Sequence, residues 1–279
     1  MNILEAINFG KEYLKNSETS TLDTKIILAN ILNINKNELI LYKNKVLTVQ
    51  QENDFKSFLS RRLIGEPVSK IFHKKAFWKY NFFTNENVLD PRNDSEILIE
   101  TVLNECKNSI NEKINILDLG TGSGCLIITL LKEFKNANGL AVDINEKSLE
   151  VAKKNAVDLQ VDSRLQFIKN NWNDNIDKQF DIIVSNPPYI KSDDITALSN
   201  DVKNFDPLLA LDGGDNGLEC YKYLAEHLMK NCKESTKIFL EIGYEQANDV
   251  RQLFEHNNFK YIKLVQDLQG LDRVLVFII

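Results

Sequence analysis

Histidine and cysteine are scarce in this chain, and their scarcity removes several chemistries at once. Three histidines, His73, His227 and His256, and four cysteines, Cys106, Cys125, Cys220 and Cys232, are spread over 279 residues. No two cysteines form a Cys-x-x-Cys pair and no histidine stands at ligand spacing from any of them, so no metal site is expected. No histidine has a neighbouring serine or cysteine motif of the kind a nucleophilic triad uses. All three are read as structural or surface residues, and the cysteines as reduced thiols of a cytosolic protein.

Long apolar runs and an excess of basic charge are missing too. No apolar stretch approaches the roughly 20 residues of a membrane span. The amphipathic start, Met1 to Lys15, mixes Glu5, Lys11 and Glu12 into its apolar positions, unlike a signal peptide. A cytoplasmic protein without membrane association is therefore expected. The net charge is −6 and the pI near 5.3, which argues against non-specific coating of nucleic acid. What is present is ordinary: 43% of residues are apolar, enough for a sizeable core in one large domain or two smaller ones.

Glycine is nearly absent from the first 70 residues, where Gly10 is the only one before Gly65. Helical stripes run through Ile3, Leu4, Ile7 and Leu14, then through Leu22, Ile26, Ile27 and Leu32. A short helix is expected near Lys36 to Leu41. Thr48 with Gln51 three residues on is a capping-box signature, and Gly65-Glu66-Pro67 ends the helix it starts. Residues 1–70 are thus expected to form a small all-helical domain. Residues 71–90 change texture. Phe72, Phe77, Trp78, Tyr80, Phe82 and Phe83 crowd around polar residues, which reads as a β-hairpin or as a connector packing its aromatics onto two domains. The basic cluster Lys70, His73, Lys74, Lys75 and Lys79 could contact nucleic acid, though such a run more often reads as a solvated face.

From residue 91 to 279 strands alternate with helices. Strands are expected at Ile114–Leu119, Gly139–Ile144, Leu165–Ile168, Phe180–Ser185, Lys237–Ile242, Tyr261–Val265 and Arg273–Ile279. Helices are expected at Asp94–Lys107, Cys125–Phe134, Lys147–Asp158, Gly217–Asn231 and Gln246–Asn257. Such alternation means an α/β fold, a doubly wound, mostly parallel seven-stranded Rossmann-like sheet. The last two strands have no helix between them, so they should pair as a C-terminal antiparallel hairpin.

Proline is rare as well, with five in the chain, yet two stand together in Asn186-Pro187-Pro188-Tyr189. This loop stops the apolar run Phe180–Ser185 abruptly, because proline fixes φ and cannot donate to a ladder. It places an amide, rigid carbonyls and an aromatic ring at the carboxyl end of a buried strand, where open α/β sheets bind ligands. That set suits a flat hydrogen-bonding group such as an amide or an amino-substituted base. Earlier, Asp118-Leu119-Gly120-Thr121-Gly122-Ser123-Gly124 follows the first sheet strand and opens a helix. Glycines there allow a ligand to approach backbone N–H groups. The next strand ends at Asp143, placed to accept from ribose hydroxyls, though an aspartate there could also merely cap the following helix.

Asp118 to Gly124, Asp143 and Asn186 to Tyr189, in this order, resemble a class I S-adenosylmethionine-dependent methyltransferase acting on a planar nitrogen. Gly65-Glu66-Pro67-Val68, Pro91 to Glu96, Phe205-Asp206-Pro207 followed by Ala210 to Gly214, Glu241 to Tyr244 and Asp272-Arg273-Val274 are similar to one family, the release-factor glutamine N5-methyltransferases. The resemblance implies a cofactor, S-adenosylmethionine, lined by Gly120, Thr121, Gly122, Ser123 and Gly124, held by Asp143 and flanked by Trp172. It implies that Asn186, Pro187, Pro188 and Tyr189 hold the substrate glutamine, with Asn186, Pro187 and Tyr189 catalytic and Asn186 also near the transferred methyl. The partner it implies is a peptide chain release factor, methylated at a Gly-Gly-Gln loop and docked by the helical domain and connector; a monomer without a stable nucleic-acid complex is expected. Arg92 and Glu96 read as a first-turn charge pair, and Glu241 reads equally as a surface acid. Two other functions fit parts of the pattern: an adenine N6 or cytosine N4 methyltransferase sharing the same loop, and a non-catalytic adaptor. The acidic pI and the lack of a target-recognition segment between Tyr189 and Gly217 speak against the first, and the intact loops against the second.

Overall fold

Buried apolar runs of five or six residues, alternating with amphipathic helices, build a sheet whose centre is apolar on both faces. The structure is a computed structural model describing residues 1–172 and 176–279. In chain order its main elements are α1 (Ile3–Tyr13), α2 (Ser20–Leu32), α3 (Val49–Leu63), α4 (Val68–Ile71), β1 (Lys75–Phe77), β2 (Tyr80–Phe82), α5 (Glu96–Glu105), β3 (Asn115–Leu119), α6 (Cys125–Glu133), β4 (Asn138–Asp143) and α7 (Glu146–Asp158). Then come β5 (Leu165–Lys169), β6 (Phe180–Ser185), α8 (Asn200–Phe205), α9 (Glu219–His227), β7 (Cys232–Glu241), α10 (Ala247–His256), β8 (Lys260–Gln266) and β9 (Asp272–Ile278).

The chain divides into two compact units. One comprises Met1–His73 with Ser199–Phe205, the other Lys74–Leu198 with Asp206–Ile279. The first is helical, with a core that includes Ile3, Ile27, Leu28, Phe55 and Leu59. The capping box at Thr48 forms as its spacing dictates: the hydroxyl accepts from Gln51 N and the Gln51 side chain accepts from Thr48 N. Arg62, near the end of α3, pairs with Asp23 of α2 at 2.7 Å and with Asp201 of α8 at 2.9 Å. A short 3-10 helix occupies Lys36–Ile40, where the third helix is expected.

In the second unit, seven strands pair in the order β5-β4-β3-β6-β7-β9-β8. All pairings from β5 to β7 are parallel, while β9 runs antiparallel to both β7 and β8. This is the expected doubly wound sheet with its C-terminal hairpin, and the hairpin's second strand lies inside the sheet. Alternation along the strands sends Ile116, Ile182 and Val184 to the face covered by α5, α6 and α7. Leu117, Ile183 and Leu240 point to the face covered by α9 and α10. Strand order reverses between β3 and β6, and such a switch point opens a crevice at the strands' carboxyl ends. β1 and β2 form a separate two-stranded hairpin, and its Phe77 and Phe82 are buried in this unit's core. Strand β7 starts at Cys232, five residues before the expected Lys237. Its polar start is held by Thr236, whose hydroxyl accepts from Lys233 N and donates to Phe180 O.

Candidate active site

β4, β3 and β6 are neighbours, so their carboxyl ends bring three separate stretches of sequence together. The loop after β3 turns on Gly120, Gly122 and Gly124, whose φ values of +77°, +54° and +79° are left-handed. Gly120 N and Thr121 N both donate to Val142 O at 2.9 Å, which ties the loop to β4. A Cβ on Gly124 would meet Ile128 and Ala152 at 2.8 and 3.2 Å, whereas one on Gly122 would meet nothing within 4 Å. Gly124 therefore serves helix packing, and Gly122 faces open space. Thr121 donates to Asp118 at 2.6 Å, and Ser123 O accepts from Asn155 at 2.9 Å. Both residues are turned into the protein and buried.

Asp143 ends β4. Its carboxylate accepts from Gly122 N at 2.9 Å and from Asn145 N at 2.8 Å. The cap of α7 is Asn145, whose side chain accepts from Lys147 N, so Asp143 is not spent on capping. Only 8% of its surface is exposed, and burial raises its pKa against these hydrogen bonds.

Behind it, Asp118 is fully buried, with Oδ1 lacking a hydrogen-bond partner among the described residues. Burial lifts it to about 7. The sign of the stability effect follows. An unfolded aspartate ionises near 3.8, so between that pH and about 7 the unfolded chain gives up a proton that the folded protein keeps. Stability from this group falls as pH rises through the window and is flat above it. Asp118→Asn should therefore lose up to about 4 kcal/mol less stability than the parent between about pH 4 and pH 8. Urea unfolding at the two pH values checks this.

Asn186-Pro187-Pro188-Tyr189 leaves β6 and is braced from below. Ile190 N donates to Leu211 O at 3.0 Å, and Gly213 N donates to Ile190 O at 2.8 Å. Gln246 holds Tyr189 O at 3.0 Å. A Cβ on Gly213 would lie 2.8 Å from both Pro188 O and Tyr189 Cα. These are backbone atoms that cannot swing aside. Gly213→Ala should cost about 1–3 kcal/mol and displace the loop. A drop in the urea midpoint together with a larger fractional loss of turnover is the expected outcome.

A cavity of about 350 Å³ lies at these strand ends, within the range of small-molecule sites. Gly120, Gly122, Asp143, Trp172, Asn186 and Pro188 line it. Thr121, Ser123, Gly124, Pro187 and Tyr189 are not among its lining residues. Trp172 has a φ of +70° and its carbonyl accepts from the Tyr223 hydroxyl at 2.8 Å. Tyr189 is half-buried, and its phenol is pushed up to about 12 by burial and by Glu241. The residues sequence reasoning missed include Val88, Leu209, Cys220 and Tyr223 on the wall, which carry no local motif. Among the described residues no cluster of His, Cys, Asp or Glu could hold a metal ion, and no helix is long and apolar enough to cross a membrane.

Two readings change. Arg92 and Glu96 are not each other's partners: Arg92 pairs with Asp206 at 2.6 Å, and Glu96 accepts from Trp78 N at 2.8 Å. Glu241 is no surface acid. It is 1% exposed, its Oε2 has no hydrogen-bond partner among the described residues, and burial lifts its pKa to about 7.

Residues 81–203 match the family model of the methyltransferase small domain, and residues 5–72 match that of the PrmC N-terminal domain. The release factor glutamine methyltransferase of Agrobacterium fabrum is 36% identical, over 92% of this chain and 89% of that protein. That of Caulobacter vibrioides is 32% identical, over 99% and 96%. Among solved structures, a methyltransferase from Pyrococcus furiosus superposes with a TM-score of 0.52 at 17% identity, over 80% of this chain and 98% of that one, a likeness of fold.

Proposed function

The chain belongs to the family of release factor glutamine methyltransferases, and from that premise we propose the residue roles of a methyl transfer from S-adenosylmethionine to the side-chain amide nitrogen of a glutamine in a peptide chain release factor. The observation that carries these roles is the placement of Asn186 and Pro188 on the wall of the same cavity as Gly120, Gly122 and Asp143. The cavity suits the cofactor: Gly122 leaves open space where a side chain would stand, and the Asp143 carboxylate presents an acceptor at the end of β4.

Gly120 and Gly122 line the cofactor's amino-acid and ribose portion, on a loop shaped by Thr121, Ser123 and Gly124. Asp143 accepts from the ribose hydroxyls, and Trp172 flanks the adenine. When bound, S-adenosylmethionine supplies a methyl group on a sulfonium, already a strong electrophile. The chain's task is to present the acceptor. An amide nitrogen is a poor nucleophile because its lone pair is delocalised into the carbonyl. Asn186 Oδ1 and the Pro187 carbonyl each accept one N–H of the glutamine amide, fixing its orientation. Pro188 stiffens the loop, and Tyr189 closes the site. No strong base is required, since the proton can leave once the nitrogen has been alkylated. The loop accordingly contains no His, Asp or Lys.

The helical residues 1–70 and the hairpin 71–90 are proposed to dock the factor's body, with 91–279 as the transferase domain. Exposed Ile40, Leu41, Val46 and Val49 on the helical unit support a docking role. The glutamine of a Gly-Gly-Gln loop is the proposed acceptor, and the enzyme a cytoplasmic monomer. The acidic charge and the named relatives favour protein over nucleic acid as substrate. Transfer of labelled methyl to purified release factor, with DNA and RNA alongside, tests this. Label confined to the factor's glutamine is expected, and label on nucleic acid alone would overturn it.

A further inference from the structure

Glu241, at the end of β7, has no part in the roles above, yet its buried carboxylate neighbours Ser95 and Asn186. Asn186 Nδ2 donates to Ser95 Oγ at 3.2 Å. Ser95, just ahead of α5, is itself 2% exposed. The Ser95 hydroxyl and the Asn186 amide both approach the Glu241 carboxylate and favour its charged form, against the burial that raises its pKa. A carboxylate can only accept. The Ser95 hydroxyl therefore gives its proton towards Glu241, which leaves an oxygen lone pair for Asn186 Nδ2. The chain has one direction, and it ends by turning Asn186 Oδ1 away from Ser95.

We propose that Glu241 is a positioning residue that acts through Ser95 to fix the amide orientation of Asn186, so that Oδ1 rather than Nδ2 meets the substrate amide. This rests on the proposed role of Asn186 as an acceptor for the glutamine N–H. An asparagine rotated by half a turn would point donors at donors and reject the substrate. A protonated Glu241, or a glutamine in its place, can donate to Ser95 and reverse the chain. The groups facing the carboxylate are Arg273 from β9, Asp94 and Ser95 ahead of α5, Tyr189 after β6, Tyr221 from α9 and Cys125 at the start of α6. Of the charged ones, Arg273 favours ionisation of Glu241 and Asp94 opposes it.

The test compares Glu241→Gln, Ser95→Ala and the double variant with the parent. E241Q should lower turnover at saturating cofactor by about 10–100-fold, the usual cost of losing an orienting partner, with the Kd for S-adenosylmethionine changed less than about twofold. Parent turnover should fall as pH drops below about 7, and the residual turnover of E241Q should stay flat there. The double variant should be no worse than E241Q, because the two residues act as one chain. Independently of any methyl acceptor, the Asn186 side-chain amide resonances, assigned by their loss in Asn186→Ala, should titrate with the parent's acid limb and shift in E241Q. Parent-like turnover in E241Q, additive losses in the double variant, or unmoved Asn186 resonances would each overturn the proposal. A parent enzyme unable to label the release factor would instead count against the substrate assignment, and the amide resonances would still decide the role of Glu241.

Discussion

Asn186→Ala should cut methyl transfer by about 10²–10³ while leaving the cofactor bound. The loop's stiffness comes from Pro187 and Pro188, and its anchoring from Gly213, Leu211 and Gln246, none of which needs the Asn186 side chain. In the proposed roles, cofactor affinity rests on the glycine loop and Asp143, which are tied to each other by the Gly122 N–H donated to Asp143. What alanine removes, in the proposed role, is an acceptor aimed at an N–H of the acceptor amide. Losing one such preorganised polar partner costs about 10²–10³ in turnover. The loss should appear in kcat, since nothing else in the loop offers a side-chain oxygen at that point. Single-turnover transfer of labelled methyl, with calorimetry of cofactor binding alongside, separates the two effects. Turnover close to the parent's would remove Asn186 from its proposed role.

Asp143→Ala is expected to do the reverse, weakening cofactor binding most. Two losses combine. In the proposed role the ribose hydroxyls lose a charged acceptor, and a hydrogen bond to a charged group contributes about 1.5–3 kcal/mol. The loop also loses its tether, because Gly122 N and Asn145 N both donate to this carboxylate. About 3 kcal/mol corresponds to roughly a hundredfold rise in Kd. Calorimetry with S-adenosylmethionine reads it directly. Turnover at cofactor concentrations far above the new Kd should recover much of the parent rate, a recovery Asn186→Ala should never show. An unchanged Kd would return Asp143 to a purely structural role.

The sheet was legible because strand and helix periods differ and the core strands are apolar. Ile182-Ile183-Val184 can hardly be anything but a buried strand, and the two prolines after it mark its end. The first five residues of β7 were not legible. Cys232 to Thr236 alternate poorly and include Lys233 and Glu234, and their pairing depends on Phe180 O and the Thr236 hydroxyl, 56 positions apart in the chain. The site divides in the same way. Asn186 and Asp143 announce themselves by position at strand ends. Glu241 also sits at a strand end, but what buries it is the approach of Ser95, Arg273 and Tyr221 from three other elements. No local pattern encodes that. Arg92 and Glu96 mislead for the related reason that proximity along a helix suggests a pair, while Asp206 and Trp78 N, distant in sequence, take both groups.

The position of β9 bears on the order in which the molecule can be made. It is the last strand in the chain, yet it lies between β7 and β8. As the polypeptide leaves the ribosome, β7 emerges with one edge bare and β8 follows with nothing to join it to the sheet. Only Asp272 to Ile278 closes that gap, pairing Glu241 with Val274 and bringing Arg273 against Asp267 and the Ile242 carbonyl. The half of the sheet that carries Glu241 is thus closed by a strand made after β8. Until that strand arrives, Glu241 has neither Val274 paired beside it nor Arg273 near its carboxylate.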